Sequence, residues 1–281
     1  MIQLVTSGIL EQPQPSAADD WAPTDANVVA WIDASDTSSY TRSGSTLTAV
    51  TDKAGTYTMS IGSTPTVIAN SLNNLNVFDF DGNEYLQSTS YESQTTSGNH
   101  WAIGVFRFNT VNNTKDSFWS YETNASPKRD YAVSSSASNN TWPGELDLDG
   151  LSSNRISNTI GNSEEWNLKS IQQNTYAITA VYFNKTGNQI GTRVDGQSAF
   201  KVVNDYTNSI QNNQELRLMR NRSSVELDGQ LAEFFAVADI PGTSGTDIST
   251  LEKGEGYLAW KWGLVSLLPS NHPYKNSAPV V

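Results

Sequence analysis

A short acidic run contains the residues of this sequence whose types and spacing are best suited to chemistry. Within PGELDLDG, at positions 143–150, Glu145, Asp147 and Asp149 recur at every second residue. Successive side chains of a β-strand point to opposite faces, so in a strand all three carboxylates would share one face. Two carboxyl groups about 5 to 5.5 Å apart can cleave a glycosidic bond with retention, and carboxylate oxygens also ligate calcium. The run therefore predicts a carboxylate site, for hydrolysis or for calcium, or else an exposed strand or loop rim.

Aromatic side chains near this run suggest a second kind of site, one for glycans. A sugar packs the apolar face of its ring on an aromatic side chain, while its hydroxyls hydrogen-bond to Asp, Asn and Arg. Trp142 directly precedes the run and is the best aromatic candidate. The predicted glycan-binding residues are Trp142, Trp119, Tyr131, Asp147 and Asp149.

Metal and thiol chemistry are disfavoured by the residue counts. The chain has no cysteine, which excludes a disulfide scaffold, cysteine-ligated zinc and thiol catalysis. Its two histidines, His100 and His272, are too far apart in sequence for the local spacing of a metal site. No EF-hand-like spacing accompanies the acidic run, which argues against calcium, although its carboxylate oxygens keep calcium as an alternative there. We therefore expect no catalytic residue and no cofactor.

The charge balance argues against nucleic acids and membranes as partners. The sequence holds 17 Lys and Arg against 29 Asp and Glu, a net charge of −12. So few cations cannot neutralise a phosphate backbone or an anionic bilayer surface. No apolar run approaches the roughly 20 residues of a membrane span. The opening MIQLVTSGIL lacks the basic and apolar regions of a secretory signal, so we expect no export by that route.

Composition predicts an all-β protein with long polar loops. Only 16% of residues are charged, yet the mean hydropathy is −0.46, because about 89 of the 281 residues are Ser, Thr or Asn. These residues favour turns, strands and sheet surfaces over helix interiors. A chain of this length is ample for one large hydrophobic core.

Alternating apolar runs and turn signals predict the short strands of an antiparallel sandwich. Residues 101–108 form a strong run and residues 175–184 the longest one, and Asp195-Gly196 marks a hairpin turn. Further strands are predicted at residues 28–33, 76–80, 85–87, 118–122, 129–133, 189–194, 200–203, 215–220 and 230–237.

One segment has helical spacing instead, and it predicts a helix at about residues 247–263. Asp247 or Ser249 can cap its start and Gly263 can end it. An extended tail follows. The apolar residues at helical spacing are Ile248, Leu251, Leu258 and Trp262.

The first 24 residues are predicted to form an extended arm, with the sandwich at residues 25–281. Three prolines interrupt the arm, and its sequence has neither the strand period nor the helix period. An arm of this composition cannot offset its own ordering entropy, so we expect it to dock on another polypeptide. The predicted assembly anchor consists of Ile2, Leu4, Val5, Ile9 and Leu10.

Several motifs are interpreted as architecture. Trp31 stands in an apolar run and is expected to anchor the core. Asp33 and Asp52 suit turn bonding at strand ends. Glu233 lies within an apolar strand, so it would need a buried partner such as Lys261 if it faces inward.

Six stretches in this order resemble a known family of domains. They are WIDASD (31–36), TDKAG (51–55), NVFDFDGNEYL (76–86), DGQLAEFFAV (228–237), GYLAWKWGL (256–264) and LPSNHPYKNSAP (268–279). The chain resembles concanavalin-A-like, laminin-G-type jelly-roll domains of marine bacteriophage structural proteins and of some bacterial surface proteins. The resemblance implies a two-sheet antiparallel jelly-roll sandwich with one short C-terminal helix.

The same resemblance implies a function as a virion structural protein. The chain would be a capsid decoration subunit, or a fibre or tail-associated subunit, at the virion surface. Its partners would be other virion proteins and further copies of itself, and it could also bind a host polysaccharide. Because sandwiches of this kind host several functions, a lectin-like module of a bacterial surface protein is an alternative.

The acidic run also resembles the Glu-x-Asp-x-Glu strand of laminarinase- and lichenase-type glycosidases. That resemblance implies Glu145 as the nucleophile, Asp147 as the residue that tunes it and Asp149 as the acid. Asp149 departs from the pattern by one methylene. A glycoside hydrolase is therefore a further alternative, but our expectation is that the chain is not an enzyme.

Overall fold

Two antiparallel β-sheets packed against each other form the body of the protein in a computed structural model. The structure describes residues 20–89, 99–110, 117–123, 129–134, 141–142, 145–147, 171–187, 189–199, 214–220 and 226–281. A single α-helix within these residues lies near the C-terminus. The predicted fold class, an all-β two-sheet sandwich with a C-terminal helix, is confirmed.

The described residues contain eighteen strands, one α-helix and two short 3-10 helices. The helix α1 spans Ser249–Lys261, and the 3-10 turns span Pro23–Asp25 and Val265–Leu267. The strands are β1 Val28–Asp33, β2 Tyr40–Ser43, β3 Thr46–Val50, β4 Met59–Gly62, β5 Thr66–Leu72, β6 Leu75–Asp81, β7 Tyr85–Ser88, β8 Asn99–Thr110, β9 Ser117–Thr123, β10 Arg129–Ser134, β11 Thr141–Trp142, β12 Glu145–Asp147, β13 Ile171–Gln172, β14 Ala177–Asn184, β15 Gln189–Val194, β16 Gln197–Ala199, β17 Gln214–Leu218 and β18 Asp228–Val237.

The larger sheet has ten strands, of which nine follow the order β16-β15-β14-β8-β18-β6-β5-β3-β2 while β1 pairs with β18. The smaller sheet has the order β12-β10-β9-β17-β7-β4, and β11 pairs with β13 in a separate two-stranded sheet. The most central strands, β8 and β18, are two of the strongest apolar runs in the sequence. A strand with neighbours on both sides and both faces covered is apolar along most of its length, and the few polar side chains in these two strands, such as Glu233, are buried.

The strand β8 shows how both of its faces are covered. Phe106 and Phe108 enter the core between the two sheets, where they meet side chains of the smaller sheet such as Phe118. Trp101 and Ile103 enter a second core on the opposite face of the large sheet. Because strand side chains alternate between faces, one continuous apolar run supplies both cores.

Helix α1 covers the second face of the large sheet. Its Leu251 and Leu258, together with Trp262 just past its end, are buried in the second core. At its start, Asp247 Oδ1 accepts a hydrogen bond from the Ser249 N–H at 3.0 Å. At its end, Gly263 adopts a φ of +70°, a conformation that glycine enters at little cost. The predicted helix and its glycine end signal are confirmed, whereas the N-cap position is taken by Ile248 and neither Asp247 nor Ser249 occupies it.

The C-terminal tail folds back over the helix and the sheet. Leu268 is buried in the second core, and the Trp21 N–H donates to the Pro279 carbonyl at 3.1 Å. The backbone around Asp20 also bridges to Val280. The tail is thereby held on its own sandwich, next to the point where the described chain begins.

Two sequence predictions fall outside the described residues and are not tested. They are the strand at residues 200–203 and the first 19 residues of the arm, which include the predicted anchor Ile2, Leu4, Val5, Ile9 and Leu10. Residues 20–24 of the predicted arm are described and lie on the sandwich: Trp21 is buried in the second core, and Pro23 begins a 3-10 turn. No helix in the described ranges is long and apolar enough to cross a membrane.

Candidate functional site

The structure corrects the sequence interpretation of Trp119. Its side chain is fully buried between the two sheets and lies 5.6 Å from the ring of Phe234, measured between ring centroids. Inward-facing aromatic residues fill the space between packed sheets, which leaves no ring face open to a sugar. Trp119 is therefore a core residue and was wrongly predicted as a glycan contact.

Of the remaining predicted glycan and carboxylate residues, Tyr131, Glu145 and Asp147 lie in the two outermost strands at one edge of the small sheet. Tyr131 is in β10, Asp147 is in β12, and these two strands pair, with Ala132 opposite Asp147. Trp142 lies in β11, which belongs to the separate two-stranded sheet. Glu145 is in the edge strand β12, whereas Asp149 lies outside the described residues. The Glu145 and Asp149 pair expected for a glycosidase is therefore not tested.

A polar cavity of about 330 Å³ opens elsewhere, beside the N-terminal end of helix α1. Three segments enclose it: the β15–β16 hairpin turn, the first turn of the helix and the C-terminal tail. We call it the hairpin pocket. Its lining includes Arg193, Gln197, Glu252, Pro269, Asn271 and His272.

The hairpin turn that forms one wall is fixed by its own sequence. Asp195 and Gly196 both have positive φ values, of +52° and +72°, as a two-residue hairpin turn requires. The Asp195 carboxylate accepts a hydrogen bond from the Ile178 N–H at 2.9 Å, which ties the turn to β14. A Cβ atom at Gly196 would lie only 2.9 Å from Cδ2 of His272. The predicted Asp-Gly turn is confirmed, and its glycine lets the tail approach.

A buried triad lies behind the pocket. Arg193 donates to both oxygens of Glu255, from Nε at 2.7 Å and from Nη2 at 2.9 Å. The second Glu255 oxygen also lies 3.0 Å from Nε2 of His272. Side-chain exposure is 5% for Arg193 and 1% for Glu255 and His272. A bidentate pair of this kind holds both side chains in one geometry.

The tautomer of His272 follows from its neighbours. The Tyr274 N–H donates to Nδ1 of His272 at 3.2 Å, so Nδ1 is the nitrogen without a proton. The proton is then on Nε2 and is donated to Glu255. Burial raises the pKa of Glu255, but the hydrogen bond from His272 and the charge of Arg193 outweigh it, and the net effect lowers that pKa. Glu255 is an ionised, fully engaged carboxylate.

Glu252 presents a second carboxylate to the pocket. Its side chain is 23% exposed, and Oε1 lies 3.5 Å from Nη2 of Arg193. Burial raises the pKa of Glu252, an effect that Arg193 partly opposes. The amide side chains of Gln197 and Asn271 are exposed at the same pocket. The lining therefore combines one carboxylate acceptor with amides that both donate and accept, the functional groups that bind hydroxyls.

A separate charged cluster attaches the opposite end of helix α1 to the sheet. Glu233 is fully buried, and Lys261 reaches it at 2.7 Å and Asp33 at 2.9 Å. Trp31 and Trp262 each donate an indole N–H to Glu233 at 2.8 Å. The predicted partnership of Glu233 with Lys261 is confirmed.

This cluster is architectural because its carboxylates are sealed from ligands. Lys53 bridges Asp33 at 3.0 Å and lies over the ring of Trp31 at 3.9 Å. Burial opposes ionisation of Asp33, but Lys261, Ser35 and Lys53 outweigh it and lower the pKa. Asp52 accepts backbone N–H bonds from Trp31, Ala54, Thr56 and Tyr57. The interpretation of these motif residues as a core anchor and turn-forming carboxylates is confirmed.

Sequence reasoning missed the hairpin pocket. His272 was considered only as a metal ligand, and Arg193 only as part of a strand. The described ranges contain no group of three or more His, Asp or Glu that could hold a metal ion. A signal for the pocket was present in the Asp-Gly turn beside an arginine, but no local pattern connects it to residues 252–272.

No protein-family model and no curated protein sequence matches this chain. Solved structures do match it in fold. Domain 4 of AbnA, an extracellular arabinanase from Geobacillus stearothermophilus in complex with arabinotriose, has a TM-score of 0.52 and 12% identity, covering 80% of this chain and 97% of that chain.

Two larger proteins also contain a similar fold. Trypanosoma rangeli sialidase in complex with sialic acid has a TM-score of 0.51 and 9% identity, and the match covers 80% of this chain and 32% of the sialidase chain. A structure of botulinum neurotoxin type C, a toxin whose cell entry depends on two ganglioside molecules, has a TM-score of 0.50 and 11% identity. The match covers 83% of this chain and 53% of the toxin chain. At these identities the likeness shows the fold alone: the chain is a two-sheet β-sandwich of the kind found in these carbohydrate-associated proteins.

Proposed function

We propose that this chain is a non-catalytic carbohydrate-binding module and that the hairpin pocket is its sugar site. The observation that carries the proposal is a polar pocket whose wall is fixed by the buried Arg193–Glu255–His272 triad. A site that is rigid before binding loses little entropy when its ligand arrives. The Gln197, Glu252 and Asn271 side chains are then available to hydroxyl groups.

The size and chemistry of the pocket support this proposal. Its volume of about 330 Å³ is at the lower end of ligand pockets, which suits a mono- or disaccharide. Pro269 supplies an apolar surface for the CH groups of a ring. The fold supports the ligand class as well, since the arabinanase domain carries arabinotriose and the sialidase carries sialic acid.

The hydrogen bonds that Glu255 already accepts within the protein support a binding function over a catalytic one. Arg193 and His272 engage its oxygens, and its side chain is only 1% exposed. A retaining glycosidase needs two carboxyl groups that both reach the sugar, and here Glu252 is the carboxylate left to do so. A hydrolase acting through Glu145 and Asp149 stays an alternative hypothesis.

Pocket substitutions should weaken sugar binding. A glycan array identifies a bound oligosaccharide, and calorimetry then measures its affinity. The double variant Gln197→Ala/Asn271→Ala removes two amides, each worth about 0.5 to 1.5 kcal/mol, so we expect the affinity to fall by about five- to 150-fold. Trp142→Ala is the matched comparison, because Trp142 was the leading candidate from sequence. If Trp142→Ala abolishes binding while the double variant binds normally, the sugar site is not the hairpin pocket.

We also propose, on the resemblance given above, that the module is displayed on a virion surface. It would be a capsid decoration, fibre or tail-associated subunit in contact with other virion proteins and with copies of itself. A net charge of −12 would keep many clustered copies soluble and would discourage binding to DNA. The arm would be the anchor.

Deleting residues 1–20 should therefore abolish incorporation into particles and leave the fold intact. The deletion removes the bridge between Asp20 and Val280, but Trp21 stays buried in the second core and keeps its bond to Pro279, so we expect the sandwich to stay folded. Particle composition by gel and cryo-electron microscopy measures incorporation, and circular dichroism checks the fold. The Gln197→Ala/Asn271→Ala variant is the control and should still incorporate. Normal decoration by the shortened chain would contradict the anchor proposal.

A further inference from the structure

We propose that the hairpin pocket selects neutral sugars over acidic ones and that Glu252 sets this selection. The inference rests on the proposed function and adds its ligand class: neutral glycans that present adjacent hydroxyls. It follows from how the charges around the pocket are paired.

The positive charge in the pocket is already engaged. Arg193 forms its bidentate pair with Glu255, and Nη2 also donates to the Gly196 carbonyl at 2.8 Å. A ligand carboxylate that drew Arg193 away would leave Glu255 buried without its counterion, which is strongly unfavourable. Arg193 therefore acts as a positioning residue for the wall and does not act as an anion receptor.

The other titratable groups at the pocket do not attract an anion either. The Tyr274 N–H fixes the neutral tautomer of His272, which donates to Glu255. With Arg193 and Glu255 balanced, the carboxylate of Glu252 leaves the pocket with a net negative charge. The whole chain adds to this repulsion with its charge of −12.

A neutral sugar gains from the same carboxylate. A carboxylate is an acceptor with two oxygens, and two adjacent hydroxyls can donate to both of them. Hydrogen bonds to a charged acceptor are about twice as strong as neutral ones. A uronic acid or a sialic acid would bring its own carboxylate into this field and meet Coulomb repulsion.

The test uses sugars that differ only in charge. A glycan array carries two matched pairs of oligosaccharides: glucose and glucuronate oligomers, and galactose and galacturonate oligomers. It also carries sialylated glycans. For the best-bound pair, calorimetry should show the neutral member binding at least about tenfold tighter, or about 1.4 kcal/mol. Raising the salt concentration should narrow this gap, because salt screens the repulsion.

Glu252→Gln should reduce the gap to about threefold or less, since the amide keeps the shape and loses the charge. Glu252→Asp keeps the charge and should keep the preference. Asp239→Asn changes the net charge equally at a site outside the pocket and should also keep it. If the acidic member binds as tightly as the neutral one, or if Glu252→Gln leaves the gap unchanged, the selectivity is wrong while sugar binding stands. If no sugar of either class binds, the proposed function itself fails, and the selectivity fails with it.

Discussion

Replacing Lys261 by Met is expected to lower the free energy of unfolding by about 3 to 5 kcal/mol at pH 7. Lys261 lies between two buried carboxylates, 2.7 Å from Glu233 and 2.9 Å from Asp33. Methionine is similar in volume but carries no charge, so the variant leaves the buried Glu233 without its cation, while Asp33 keeps its ion pair with Lys53. The cost comes from the uncompensated buried charge. Chemical denaturation at pH 7 measures it.

The pH dependence separates this cause from a simple loss of packing. Burial already raises the pKa of Glu233, an effect that Lys261 opposes, so the pKa should rise further in the variant. When the pKa of a carboxyl group is higher in the folded state than in the unfolded state, the protein becomes less stable as the pH rises from the unfolded pKa to the folded pKa. The deficit of Lys261→Met should therefore be small at pH 4 and grow toward pH 7.

Lys253→Met is the matched control. Lys253 is on the same helix, but its ammonium bonds only to the exposed carbonyl of Val280 at 3.0 Å among the contacts described. We expect a change of about 0.5 kcal/mol or less, as for most surface substitutions. Equal losses in the two variants, or a deficit for Lys261→Met that does not vary with pH, would contradict the role given to the cluster.

The buried His100 should make the protein less stable as the pH falls from 6.5. It is fully buried in strand β8, and burial lowers its pKa to about 3. Below pH 6.5 the unfolded chain binds a proton on this residue and the folded chain does not, so stability falls as pH falls. A full pH unit is worth about 1.4 kcal/mol, but unfolded histidine is only half protonated at pH 6.5, so the loss between pH 6.5 and 4.5 is about 2.3 kcal/mol.

His100→Gln isolates this contribution, because glutamine does not titrate. The difference in unfolding free energy between wild type and variant should shift by that amount over the window and stay constant above pH 7.5. The shift with pH is the readout, since the substitution also changes packing at every pH. An NMR titration should show the His100 ring neutral at pH 5. A ring that titrates near pH 6.5 in the folded protein would contradict the prediction.

The sequence alone determined those parts of the protein whose signal is local. Strands β8 and β18 are apolar on both faces, helix α1 has apolar residues at helical spacing and a glycine at its end, and the Asp195-Gly196 turn needs positive φ values. In each case the residues that specify the conformation are neighbours along the chain. The pairing of Glu233 with Lys261 was also within reach, because a buried charge requires a partner and few cations were available.

Polar strands were harder to predict. The strands β2 to β5, at residues 40–72, were not predicted, since they are rich in Ser and Thr and their exposed faces carry little apolar pattern. These strands pair through backbone hydrogen bonds, which every residue except proline can donate. The prediction for Trp119 was wrong for a related reason: whether a tryptophan faces solvent or a second sheet depends on which sheet lies opposite.

The hairpin pocket was decided only by the tertiary structure. It brings together Arg193 from a strand, Glu252 and Glu255 from the helix and His272 from the tail, which are far apart in the sequence. No spacing rule links such residues, because their distances are set by how the helix and tail pack on the large sheet. The sequence thus determined the sandwich, the helix and the turn, while the packing of these elements determined which polar side chains share a cavity.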